Sequence, residues 1–548
     1  MKFIKIITIV ILLFSCNNIK DIKVSEKQAY DPTWVSLENY NCPKWFSDGK
    51  LGIWSHWGPT SVTEFGDWYQ RHLYIESPET MEGFSLLDWE AARGKIVYDF
   101  HNKTYGHPSF VGAKDICNLW KANKFEPEKL MKLFKRVGAK YFVALANHHD
   151  NFDLWDSKYQ PWNSMNIGPK KDIVGLWEKA ARKEGLHFGV TVHAARSWYW
   201  MQPAHQSDAH GPLKGVLYDG VLREKDGKGT WWEGYDPQDL YCKPIKPRQR
   251  IPDQEYIDKF VLRTKDLIDS YHPDLLYFDD GQYPNVSKDI KVNAPIGLNM
   301  YAYHYNQHAK WSGEKDQAVL NIKRPKSKKA IVYDVERGAS GKKMKYPWQT
   351  DTCIGDWFYK KNVNYKSVDK IVDMFVDIVS KNGNLLLSVP QPNNGVLDNQ
   401  EIAILEGIAE WMDINSEGIY ATKPWAVFGE GYVATQGGRA TERKETINYT
   451  GADFRFTQKE GVVYAFAMDW PDKEQAVIQA MSKDSPLVNG KISKITLLGY
   501  GNLSFNRDKN SLKINLPNRV VGKYAFCFKI EGLTTIFENG KDTLLKKE

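Results

Sequence analysis

Six short runs of this chain are almost wholly apolar, and nearly all end on a polar, chemically useful residue: Leu51–His56, Tyr141–Asn147, Phe188–His193, Leu275–Asp279, Ala330–Asp334 and Asn384–Pro390. Such a run has no polar face to show to water, so it predicts a strand covered on both sides. Between the runs, residues 128–137, 173–184, 254–270, 368–380 and 400–415 carry apolar side chains at helical spacing. Buried strands alternating with amphipathic helices predict an α/β fold with a parallel sheet under helices. No Gly-x-Gly-x-x-Gly follows a strand. At this length a closed (β/α)8-like barrel of the TIM type fits better than an open doubly wound sheet.

In a barrel the carboxyl ends of all the strands open on one face, where catalytic groups of such folds lie. The ends here are His56, Asn147 with His148 and His149, His193 and Asp279, with Glu336 just past its strand. A single buried His is ordinarily a satisfied core residue, but several imidazoles and carboxylates at equivalent positions predict a site. Asp279 and Glu336 aimed at one pocket are the equipment for cleaving a glycosidic bond: one attacks or stabilises the anomeric carbon, the other protonates the leaving oxygen. Arg337 and the His cluster offer charges that separate the two carboxyl pKa values. Neutral imidazoles donate from one nitrogen and accept on the other, which suits sugar hydroxyls. The 20 Trp, 29 Tyr and 24 Phe supply rings for the apolar face of a pyranose.

The remainder bounds the chain. Against 67 Asp and Glu stand 74 Lys and Arg, a net +7 over 548 residues, too weak a bias for a nucleic-acid footprint. Lys2 and Lys5, the apolar run Ile6–Phe14 and then Ser15-Cys16 read as a secretory signal over residues 1–15. Residues 16–40 are expected to be a tether and 41–415 the catalytic barrel. From 416 to 548 short alternating runs separated by turns predict an antiparallel β-sandwich, expected to pack structurally beneath the barrel. Two stretches, about 202–250 and 305–329, interrupt the barrel pattern, and Lys323–Lys329 in the second reads as a solvated basic loop. The Cys residues lie far apart with no Cys-x-x-Cys, so neither a zinc ribbon nor a dense disulfide framework is expected.

Several segments carry a resemblance. Pro43–Pro59, then Gly66-Asp67-Trp68-Tyr69, resembles the opening of the α-L-fucosidases of glycoside hydrolase family 29, and Ala146–Ser157 matches that family's His-His motif. Pro273–Gly281 is similar to the strand carrying its nucleophile, and Asn382–Val389 and Ile419–Trp425 to its barrel end and entry into the sandwich. The resemblance runs in order from about residue 40 to 548. It implies Asp279 as nucleophile and His56, His148, His149 and Trp68 as ligands of the sugar hydroxyls and ring. Glu336, 12 residues before the family-like segment Trp348–Asp351, is the expected acid/base, and Arg337 and Trp348 are expected beside the sugar. The sequence departs from the family at three positions of the sugar-binding shell: Asp67 where Glu is common, Tyr277 where Trp is common, and His193 where some members carry Tyr. Leu13-Phe14-Ser15-Cys16 resembles a bacterial lipobox, which implies lipidation at Cys16 and a place in the periplasm or on the outer membrane, with no membrane contact except that anchor.

The implied reaction is retaining hydrolysis of terminal α-L-fucosyl residues from oligo- or polysaccharides, with no metal and no cofactor. It predicts a carboxyl separation of about 5–5.5 Å. Three other readings fit less well: α-L-galactose or a decorated L-fucose as substrate, a sugar-binding protein without catalysis, and a metal hydrolase using the His cluster with Asp150 or Asp153.

Overall fold

The computed structural model describes residues 29–547 apart from 83, 85, 444–446, 538–541 and 543. The signal segment and Cys16 lie outside the described residues. Eight parallel strands close into a barrel in chain order: β1 Leu51–Ser55, β2 Tyr141–Asn147, β3 His187–Val192, β4 Leu275–Phe278, β5 Val319–Ile322, β6 Val332–Asp334, β7 Trp348–Cys353 and β8 Gly383–Ser388. The ring shuts where β1 pairs with β8, Leu51 beside Leu385 and Ile53 beside Leu387. Almost every strand residue is buried, as continuous apolar runs require in a sheet covered on both faces.

Helices α1 Pro127–Arg136, α2 Ile173–Lys183, α3 Gln254–Tyr271, α4 Ile290–Ser312, α5 Val368–Ser380 and α6 Asn399–Asn415 surround the barrel. Their starts are set by side chains that satisfy orphan amides: Ser367 accepts from Lys370 N–H, and Asp398 and Glu401 cap each other's backbone N–H at the start of α6.

Two strands differ from the sequence expectation. Residues 305–329 do not interrupt the barrel: α4 runs to Ser312 and β5 follows, four residues long and broken in pattern by Asn321. In β7, Gln349, Thr350, Asp351 and Thr352 are buried although polar: Gln349 and Asp351 meet Asp334 and Tyr277 inside the barrel, while Thr350 and Thr352 on the other face donate to Gly338 O and Glu442. A search for apolar runs passes over such a strand. The expected tether also differs at its end, where Tyr30 and Tyr40 are buried against the barrel and Tyr40 stacks on Tyr305 at 4.7 Å.

Beyond α6 the chain forms a seven-stranded sheet facing a three-stranded one, antiparallel except where Leu545–Lys546 runs beside Lys423–Gly431. Lys423–Gly431 is β9 and Phe454–Lys459 is β10. The larger sheet packs on α5 through a buried charge cluster: Asp377 lies 2.6 Å from Lys381 Nζ and 2.6 Å from Arg455 Nε of β10. Burial alone would raise the Asp377 carboxyl, but Lys381 and Arg455 outweigh it and hold it below its ordinary value.

Between β9 and β10 an arm (432–443) leaves the sandwich and docks on the β6–β7 loop. Gly438 N–H donates to Ala339 O at 2.9 Å, Ala440 N–H to Glu336 O at 2.9 Å and Glu442 N–H to Arg337 O at 3.2 Å. A Cβ on Gly338 would lie 1.9 Å from Gly438 O, so only glycine permits this approach. The sandwich therefore does more than pack under the barrel. Arg455→Met should cost about 3 kcal/mol, because it strips one partner from a buried carboxylate while Lys381 remains. A urea-unfolding midpoint unchanged from wild type would show that the cluster does not hold the modules together.

Candidate active site

The carboxyl ends of the strands surround one cavity of about 650 Å³. Asp279 and Glu336 both line it, as do His56, Asp67, Trp68, His148, His149 and His193. The register sets the arrangement. Phe278 of β4 pairs with Ile322 of β5, so the next residues, Asp279 and Lys323, stand side by side. The Lys323 ammonium contacts Asp279 Oδ1 and lies 3.0 Å from Glu336 Oε2. Lys323 is 6% exposed and contributes to the cavity wall. The expected solvated loop residue is thus the shared counter-ion of the two carboxylates.

Arg196 holds the β4 end from the other side, donating through Nη2 to Asp279 O at 3.0 Å and Asp280 Oδ1 at 2.6 Å. Burial alone would raise the Asp279 carboxyl. Lys323, then His193 and Arg196, outweigh it and hold Asp279 well below the usual carboxylate range. Glu336 is also lowered: burial and Asp279 push it up, while Lys323 and the Arg439 guanidinium, in contact with Oε2, push it down more. Arg439 comes from the sandwich arm.

The imidazoles complete the floor. His149 donates from Nδ1 to His193 O at 2.7 Å, which leaves Nε2 as an acceptor 3.9 Å from Asp279 Oδ2. Two acceptors facing each other at that distance call for a donor between them, such as a hydroxyl. His193 Nδ1 lies 3.2 Å from Asp279 Oδ2, and His148 Nε2 is 3.8 Å from Asp67 Oδ1. Burial, reinforced by neighbouring imidazoles and cations, drives His56, His148 and His149 well below their ordinary pKa, so they are neutral. The nearest nitrogens of His148, His149 and His193 lie within 4.8 Å of one another. Lys323 already supplies positive charge beside them, and neutral imidazoles so grouped can serve sugar hydroxyls.

Asp67 and Trp68 are presented by a strained turn. Gly66 has φ +86° and a Cβ there would meet Asp356 at 2.6 Å, and Trp68 itself has φ +62°. Arg93 secures the turn by donating to Asp67 O at 2.8 Å. Burial, then Asp356, raises the Asp67 carboxyl well above its ordinary value against Arg93.

Three expected sugar contacts are not at the cavity. Trp348 is fully buried and donates to Lys381 O at 3.0 Å, a core position under β8. Arg337 turns away to Glu442 at 2.8 Å and lies 5.6 Å over the ring of Trp357, which does line the cavity. Tyr277 sits below the floor, its hydroxyl 3.0 Å from both Asp334 Oδ2 and Asp351 Oδ2. One hydroxyl hydrogen cannot serve two carboxylates, so one of them carries a proton. Burial raises both, Asp334 to about 6 and Asp351 well above its ordinary value, where Asp334 adds to the rise.

The sequence reading missed Lys323, Arg196, Asp280, Asp351, Trp357 and Arg439 as lining residues. For Lys323 a signal existed, the short run Val319–Ile322, apolar but for Asn321 and ending on a polar residue like the other strands. For Arg439 there was none, since it arrives from another module. In ¹⁵N-labelled protein, His149 should remain neutral at about pH 5.5 with its proton on Nδ1; a midpoint near the free-imidazole value would contradict the buried, tautomer-fixed arrangement.

Comparison with known proteins agrees with this geometry. The family model described as alpha-L-fucosidase matches residues 18–417, and that of the alpha-L-fucosidase C-terminal domain matches 444–531. The tissue alpha-L-fucosidase of Rattus norvegicus is 27% identical over 509 residues, 90% of each chain. That of Homo sapiens is 27% identical over 522 residues, 92% of each chain. The crystal structure of the Thermotoga maritima alpha-fucosidase superposes with a TM-score of 0.65 at 26% identity, over 91% of this chain and 100% of that one. Its complex with fucose gives 0.64 at the same identity. A barrel whose strand ends bring together two carboxylates and a floor of neutral imidazoles, followed by its matching C-terminal module, places the chain in the alpha-L-fucosidase family of glycoside hydrolases.

Proposed function

We propose that the protein is a retaining exo-α-L-fucosidase in which Asp279 is the nucleophile and Glu336 the acid/base. The observation that carries this reading is the shared ammonium of Lys323. Two carboxylate oxygens bound to one nitrogen are no more than about 6 Å apart, two hydrogen-bond lengths. That supports the spacing of retaining enzymes rather than the wider gap that admits a water in inverting ones. L-Fucose as the sugar is supported by the names of the relatives and by the fucose complex of the Thermotoga maritima enzyme. It suits a floor of neutral imidazoles for hydroxyls, with the indoles of Trp68 and Trp357 for the methyl group and ring face.

In the first step an Asp279 oxygen attacks C1 as the bond from C1 to the leaving oxygen breaks, and Glu336 passes its proton to that oxygen. The product is a glycosyl ester on Asp279 and a free aglycone. In the second, water attacks C1, its proton goes to Glu336, and the Asp279 carboxylate leaves, giving fucose with the configuration of the substrate. Lys323 keeps Asp279 ionised and therefore nucleophilic. The same ammonium and Arg439 favour ionised Glu336, the form the second step uses. The reading includes an exported protein tethered through lipidated Cys16, supported by the lipobox-like residues alone. No helix among the described residues is long and apolar enough to cross a membrane.

Asp279→Asn should lower kcat on p-nitrophenyl α-L-fucoside by at least about 10⁴-fold, as loss of a covalent nucleophile does, and the wild-type enzyme should release the α anomer first by NMR. Unimpaired turnover, or the β anomer, would sink the nucleophile assignment. Turnover of the α-L-galactoside above that of the fucoside would overturn the choice of sugar. Because both carboxyls are lowered, kcat/KM on a fucosyl disaccharide should peak on the acid side of neutrality and fall as pH rises through deprotonation of Glu336. An optimum above neutrality contradicts the assignment of Glu336.

A further inference from the structure

Glu336 is held by two modules at once. Its backbone belongs to the barrel, at the end of β6, but its carboxylate is gripped by Arg439 of the sandwich arm. The arm is not loosely laid on the barrel. Three main-chain hydrogen bonds fix it along residues 336–339, and Glu442 anchors it further, accepting from Arg337 Nε at 2.8 Å and Thr352 Oγ1 at 2.6 Å, with Lys366 Nζ 3.1 Å away. Thr352 lies in β7, so the anchor ties the arm to the strand next to β6. Arg439 lines the cavity and retains one third of its side-chain exposure, so it faces the space a substrate would fill.

The contacts on Glu336 are one-sided. Lys323 Nζ and Arg439 Nη2 both approach Glu336 at Oε2, while no hydrogen bond among the described residues engages Oε1. A carboxyl gripped at one oxygen by two cations takes its proton on the other. Oε1 is then the oxygen that would meet the glycosidic oxygen in the first step and the water in the second. A cation at contact distance also lowers the proton affinity of the whole carboxyl.

We propose that Arg439 is a positioning residue through which the C-terminal module sets both the orientation and the proton affinity of the acid/base Glu336. The sandwich is in this sense part of the catalytic apparatus. The inference rests on Glu336 being the acid/base, as read above, and adds to it the origin of the control. Other groups that face Glu336 are Lys323 from β5, Asp279 from β4 and Asp351 from β7, all within the barrel. Arg439 is the charge of this set that comes from outside it.

The test is the pH dependence of kcat/KM on a fucosyl disaccharide, whose poor leaving group needs the proton. Its alkaline limb reports the free enzyme's acid. Removing a cation that lowers Glu336 raises the proton affinity, so in Arg439→Met the alkaline limb should move to higher pH, by about one unit for a contact pair. Arg439→Lys, which keeps the charge, should bring it most of the way back. On 2,4-dinitrophenyl α-L-fucoside, which leaves without protonation, the glycosylation limb should not follow the change. An alkaline limb at the wild-type position in Arg439→Met overturns the proposal, and so does an equal shift in the Lys and Met variants. Arg439→Gln, neutral but still hydrogen-bonding, provides the same comparison if the Met variant does not fold.

Glu336→Ala separates this outcome from a failure of the acid/base reading itself. If Glu336 is the acid/base, that variant loses the alkaline limb, and azide restores turnover of the activated aryl fucoside with α-fucosyl azide as product. An intact limb and no azide product in Glu336→Ala would instead remove the reading on which the role of Arg439 stands.

Discussion

The site depends on one ammonium group. Two carboxylates confined within about 6 Å of each other repel by on the order of 3 kcal/mol at an effective dielectric near 20. Without a counter-ion the pair would hold a shared proton with nothing to keep it off Asp279, whereas the proposed first step needs Asp279 ionised and the proton on Glu336. Lys323 removes that repulsion by touching both. Its own burial disfavours its charge, but Asp279, Glu336 and Asp351 together outweigh that and keep it protonated. The backbone places it there without any special loop: the β4–β5 register sets Lys323 beside Asp279, and Lys323 N–H donates to Asp280 O at 3.0 Å. Around this triad the protein keeps its other titratable groups in complementary states. Buried imidazoles stay neutral, and the Asp334–Asp351 pair below keeps one proton, so that the floor adds one negative charge rather than two.

Much of this was legible in the sequence, and the reason is physical. A parallel barrel buries its strands on both faces, so β1–β4, β6 and β8 appear as apolar runs. Because catalytic groups cluster where such strands end, His56, His148, His149, His193 and Asp279 could be named from their positions alone. Helix α5 was legible to the residue, since its buried stripe starts just after Ser367, a side chain that caps it.

What escaped follows the same logic in reverse. β5 is only four residues long, and its last function, to deliver Lys323, was masked by a run of basic residues that looked like a solvated loop. β7 fills the barrel interior with Gln349 and Asp351 rather than aliphatic groups, so it has no apolar signature. Trp348 is expected at the sugar because its segment is family-like, and Arg337 because it follows Glu336. In space one is sealed under β8 and the other is claimed by Glu442. Adjacency along the chain says little about direction once a strand has ended. Arg439 lies about a hundred residues after the glutamate it touches, and no local pattern encodes such a contact.

The docking of the arm on the β6–β7 loop has a consequence for how the protein comes into being. Every barrel strand is synthesised before the arm, and β10, which secures the arm's far end, follows it. A ribosome that has finished the barrel has therefore not yet supplied the group that grips Glu336. The wall around Glu336 is among the last parts to be assembled, so a nascent or truncated chain holds an unfinished cavity. It also bears on the exchange of modules: a C-terminal module taken from a relative would bring its own arm to the cavity wall and would have to fit the backbone at 336–339.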